Sequence, residues 1–127
     1  MDRYQFDPAE DAWVAYLKSV QDTHVSTNVP RERPERFIEV ERTGGASGLA
    51  SDDAQMTFRC WAESRAAAAA FASETERLVM LARTLAGRPV GRKTVIASSV
   101  YLPDPISGAD RYQFTIRAAI RGKFPTP

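Results

Sequence analysis

One cysteine, Cys60, and one histidine, His24, are all that the 127 residues offer of the side chains most used for metal ligation and nucleophilic catalysis. A lone cysteine excludes an internal disulfide framework, and one Cys with one His cannot fill a zinc site. No apolar run approaches the ~20 residues that span a bilayer, and the Ala-rich stretch after Ser64 is broken by Arg and Glu. No charged-then-apolar leader opens the chain, so the expectation is a soluble protein of a reducing cytosol. Excess charge of one sign is missing too: 17 Lys and Arg stand against 16 Asp and Glu, not the positive surplus of a dedicated nucleic-acid binder.

The remaining reactive residues do not assemble into known chemistry. Asp22, His24 and Ser26 are spaced two apart in an extended segment, which does not build a nucleophile, base and orienter chain, so His24 reads as a surface residue. Cys60 alternates with Phe58 and Met56 and reads as a buried, inert thiol. Gly44 and Gly45 follow a strand, as a phosphate loop does, but no Gly-Lys-Ser/Thr and no helix comes after them. Glu39, Glu41, Asp52 and Asp53 lack calcium-loop spacing. The expectation is therefore no catalytic residue, no metal, no cofactor and no enzyme activity.

What is present is clear punctuation and periodicity. Asp7 as N-cap, Pro8 at the first helical position and Glu10 predict a helix over 8–21, with Trp13, Val14, Leu17 and Val20 facing the core. Val25, Thr27 and Val29 predict a short edge strand ending at Pro30, and a second strand covers 36–42 with Ile38 and Val40 inward. Residues 44–53, rich in Gly, Ser and Asp, predict a mobile loop. Strict alternation then gives a strand with Met56, Phe58 and Cys60 on one face and Thr57, Arg59 and Trp61 on the other.

Ser64 caps a long helix whose stripe runs from Ala68 to Leu85 and which closes with Gly87 at C′. Residues 92–102 and 111–121 form a hairpin around Pro103, Pro105 and Gly108, with Tyr112, Phe114, Ile116, Ala118 and Ile120 inward. The sum is one α+β domain over 1–127, with flexible ends at 1–6 and 123–127. Its topology is α-β-β-β-α-β-β, a mostly antiparallel sheet of four to five strands with two helices on one face.

That arrangement leaves a second, half-charged sheet face carrying Gln113, Thr115, Arg117 and Arg121. Charge is also unevenly spread: residues 1–30 carry five acids and two bases, residues 88–127 two acids and seven bases.

Four segments in order, VPRERPERFIEVERTGG, the polar loop, TFRCWAESRAAAAAFA and YLPDPISGADRYQFTIRAAIRG, carry a likeness over most of residues 8–122. The chain resembles the tail terminator (tail completion) proteins of long-tailed phages and prophages, particularly actinobacterial ones. The most specific parts are Pro30, Pro34, the strand-turn Val40 to Gly45, Trp61-Ala62 before the Ala-rich helix, and Pro103-Asp104-Pro105 before Arg111-Tyr112.

The resemblance implies a virion protein of the tail neck, made in the host cytoplasm. It forms a ring, a hexamer in this family, that caps the tail tube and ends tube polymerisation. The implied partners are further copies of the chain, the major tail tube protein and the head-completion connector, with no membrane and no specific nucleic acid, though the genome passes through the ring. Interface residues on this reading are Gly44, Gly45, Asp52, Asp53, Arg111, Arg117 and Arg121. The alternatives are another neck or head-tail connector protein, or a small nucleic-acid or peptide binding module using Arg111, Arg117 and Arg121.

Overall fold

Proline at position 8 has no N–H to leave unpaired, and the chain starts a helix there. In the computed structural model, which describes residues 8–48 and 51–122, helix α1 spans Pro8–Val20. It buries Ala9, Ala12, Trp13 and Leu17; Val20, expected inward, is 40% exposed where the helix ends. The Asp7 cap, the ends at 1–6 and 123–127 and the loop residues 49–50 lie outside the described residues.

Strand β1 (His24–Ser26) runs parallel to β2 (Phe37–Ser47), which turns back into β3 (Ser51–Trp61). Helix α2 (Arg65–Met80) follows, then the two-residue β4 (Thr84–Leu85), the long β5 (Arg88–Tyr101) and β6 (Arg111–Arg121). The sheet order is β1-β2-β3-β6-β5-β4. This is the expected α+β domain, with six strands in a curled, mixed sheet rather than four to five, because β1 is parallel and β4 was not foreseen.

Three local expectations are corrected. Residues 44–47 and 51–53, read as a loop, are strand: β2 and β3 stay paired through Gly44↔Gln55, Gly45↔Ala54, Ala46↔Asp53 and Ser47↔Asp52. Glycine-rich sequence argues weakly for strand by itself, but β6 backs this hairpin as far as Ser51↔Arg121 and supplies the missing pairing.

Helix α2 begins at the expected Ser64 cap, whose Oγ accepts from Ala67 N at 3.1 Å, yet ends seven residues before Gly87. Ala86 (φ 51°) and Gly87 (φ 76°) instead form the tip of a hairpin in which Leu85 pairs with Arg88. Two consecutive positive φ values are what a two-residue hairpin turn requires. The last hairpin strand accordingly starts at Arg88 rather than 92.

Both helices pack on one side of the sheet. Ile38 and Val40 of β2, Met56, Phe58 and Cys60 of β3 and Phe114, Ile116, Ala118 and Ile120 of β6 meet α1 and α2 in one core. Phe58 is its hub: it stacks on Phe114 at 5.0 Å and takes the edge of Trp13 at 5.5 Å. Helix α2 contributes small side chains there, Ala68, Ala72 and Thr75, so its axis approaches the sheet closely.

Candidate assembly surface

The opposite sheet face is built from the odd-numbered residues of β3 and β6. Instead of projecting free charges, most of its polar groups bond one another. Thr57 Oγ1 lies 2.9 Å from Thr115 Oγ1 and 3.1 Å from Thr43 Oγ1, making a hydroxyl row across β2, β3 and β6 in which Thr57 and Thr115 are buried. Arg59 donates from Nε to Gln113 Oε1 at 3.1 Å and from its terminal nitrogen to Glu41 at 2.7 Å. Trp61 Nε1 donates to Glu39 at 3.3 Å, and the ring lies near the guanidinium groups of Arg33 and Arg111 at 5.0 and 5.1 Å. The aromatic stem of Phe37 stacks on Trp61 at 5.0 Å.

Six of the seven residues singled out from the sequence gather at one end of this sheet. Gly44 and Gly45 lie in β2, Asp52 and Asp53 oppose them in β3, and Arg117 and Arg121 sit on β6 opposite Gln55 and Ser51. Their roles differ. Asp52 is buried and takes both terminal nitrogens of Arg42 at 2.7 Å, while Arg42 Nε donates to Gly44 O. Asp53 and Arg117 are half exposed and 3.9 Å apart. Beside them Ser51, Gly91, Ala119, Arg92 and Arg121 line a shallow trough of about 300 Å³.

Arg111 stands apart at the other end of β6. It donates from Nε to Leu102 O at 2.9 Å and lies 3.8 Å from Asp104, so it clamps the turn between β5 and β6. Burial, together with the nearby charge of Arg59, lowers its hold on the proton. A second open depression of about 240 Å³ lies between Arg33, Glu35, Trp61, Glu63 and Asp110. Among the described residues no cluster of His, Cys, Asp and Glu could hold a metal ion. Cys60 is buried, and burial pushes its thiol up to about 12, the wrong direction for a nucleophile.

Sequence reasoning missed an apolar surface. Val95, Ile96 and Val100 of β5, with Leu102 and Ile106 in the following turn, are all exposed, Ile106 by 95%. The excess of β-branched residues in TVIASSV was the available signal; it reads equally well as a buried strand. No helix among the described residues is long and apolar enough to cross a membrane. No protein-family model matches the chain, and no curated protein does.

Proposed function

We propose that this chain is a structural assembly protein of the phage tail terminator type, a ring-former that closes the end of a tail tube and offers a joining surface to the head connector. The observation that carries the reading is the placement of charge. The acidic first turn of α1, with Glu10 and Asp11, lies by β2, where Glu10 accepts from Arg42 N at 2.8 Å. Arg88, Arg92 and Lys93 lie on β5, across β3 and β6 from β2. Opposite charges on opposite sides of one sheet suit head-to-tail contacts, which generate rings when the rotation closes. Such patches steer association more than they fix its strength.

The test is to reverse Arg117 and Arg121 together to Glu, both lying at the gathered end of the sheet. The expected product is a folded monomer that neither forms rings by electron microscopy nor stops the growth of tubes from purified tail-tube protein, where the parent chain does both. Unaltered rings and tube capping by the double variant would count against the charge argument. A parent chain that leaves tube growth untouched and binds DNA with a steep salt dependence would replace the reading with the nucleic-acid module.

A further inference from the structure

Each edge of the sheet is covered by a short strand over only part of its length. On the β2 side, β1 covers Phe37 to Glu39, and the Glu10 carboxylate occupies the N–H of Arg42. On the β5 side, β4 pairs only with Arg88 and Pro89, and Val90 N reaches Arg83 O. From Gly91 to Tyr101 no further strand pairs with that edge among the described residues. Exposed edges are normally guarded by charge, commonly lysine. Here the only charge between residues 93 and 102 is Lys93, and its Nζ folds back to Ala82 O at 2.6 Å. The exposed large apolar side chains along the edge are Val95, Ile96 and Val100, set among Thr94, Ala97 and Ser98 and continued by Leu102 and Ile106.

A strand that suits β5 already exists twice in the sequence. Asp-Arg-Tyr-Gln-Phe stands at 110–114 and again, identically, at 2–6. The copy at 110–114 enters β6 and pairs with β5 through Tyr101↔Tyr112 and Val100↔Gln113, the two tyrosine rings lying 5.4 Å apart. The copy at 2–6 precedes α1, whose first turn lies by β2, at the far side of the sheet. The three strand spacings from β2 to β5 amount to about 14 Å along the sheet, and the seven residues before Pro8 extend at most about 23 Å. A return to the same subunit's β5 leaves fewer than about three residues to lie along it, whereas a neighbour can present its β5 edge directly.

We propose that residues 2–6 of one subunit add as a strand to the free β5 edge of a second copy, packing Tyr4 and Phe6 on one side and Arg3 and Gln5 on the other. This inference rests on the head-to-tail association proposed above and names the contact that makes it. Because the donor segment and the acceptor edge are different parts of the chain, each subunit gives one strand and receives one, so the contact propagates until a ring closes. Main-chain hydrogen bonds supply affinity and the exposed apolar side chains on the two faces of β5 supply selectivity, as in other strand additions.

Cysteine pairing tests it on the full chain, since Cys60 is buried. A Tyr4→Cys variant is mixed with single variants at Ile96, Ser98 and Val100 under mild oxidation. The expected result is a disulfide-linked pair between two chains at one or two of these positions, lost when the competing peptide of residues 1–7 is added. Ile96→Lys, at a position already half exposed, is expected to keep the parent melting temperature and weaken association by at least about tenfold. Association of the parent chain with no cross-link at any of the three positions and unchanged strength in Ile96→Lys overturns this inference but leaves the ring reading standing. A double variant, Tyr4→Cys with Ile96→Cys in one chain, that forms its disulfide only within single chains overturns it as well, and a parent chain that stays monomeric at every concentration overturns both.

Discussion

Gly45 sits at φ +92°, and a Cβ built on it would come within 2.0 Å of Asp53 O and 3.0 Å of Ala54 Cα. Both contacts are backbone, so nothing can swing aside. Gly45→Ala is expected to cost at least about 2 kcal/mol from strain at this position, read as a shift in denaturant midpoint, with loss of the Arg42–Asp52 pairing beneath it. Thr57 is the middle of the hydroxyl row, and Thr57→Val keeps its shape but leaves neighbours short of a partner. A loss of about 1–3 kcal/mol is expected, and a nearly neutral result would show that water substitutes there.

Cys60 gives a pH signature. Its folded thiol is pushed to about 12 against an ordinary 9.0, so the unfolded chain releases this proton first. The contribution is therefore fully present below pH 9 and is lost as pH rises from 9 toward 12. Cys60→Ser is expected to fold with a modest loss of stability and to show a flatter decline across that window than the parent in paired denaturation series.

At the scale of elements, Ala86 is the one described non-glycine residue with positive φ. Ala86→Asn places an Asn-Gly pair at a turn that favours it, and a gain of about 0.5–1 kcal/mol is expected in thermal unfolding. A loss would mean that the Ala86 methyl matters to packing. The same turn shows what could and could not be read in advance. The alternation of Met56, Phe58 and Cys60 with Thr57 and Arg59 gave both faces of β3 correctly, as did Phe114 to Ile120 for β6, because a period of two follows from backbone geometry alone. Gly87 was read as the helix C′ residue, but a glycine with a proline two positions on also suits a hairpin tip, and the choice depends on Leu85 finding the core. The strand extension through Gly44 and Gly45 depends on β6, nearly seventy residues on, which no local pattern reports. Of the candidate surface, the exposure of Arg117 and Asp53 was legible; the internal ties of Asp52 to Arg42 and of Arg111 to Leu102 were not, because they are set by which strands become neighbours.

Across the whole molecule, exposed ion pairs contribute little to folding and much to encounter. The half-exposed Arg117–Asp53 pair is worth at most about 1 kcal/mol, so Arg117→Glu with Arg121→Glu is expected to move the melting temperature by only a few degrees. A large drop would place these arginines among the folding contacts and weaken their use as assembly probes. Association of the parent chain should fall as salt rises, because charges separated by more than about 8 Å are screened at physiological ionic strength.

The position of β6 between β3 and β5 governs the order in which the protein can be made. The strand that both β3 and β5 pair with, and that brings Phe114 and Ile116 into the core, is the last of the described strands to be synthesised. Until residue 121 has emerged, β3 lacks its second neighbour, α2 has half a sheet to lie on, and Thr57 waits for a partner 58 positions downstream. Folding then waits for β6 and is dominated by distant pairing, which is the slow regime for small domains. Nascent chains arrested with residue 110 at the tunnel exit should be cut readily by protease, and those arrested well beyond residue 122 should resist, with little between.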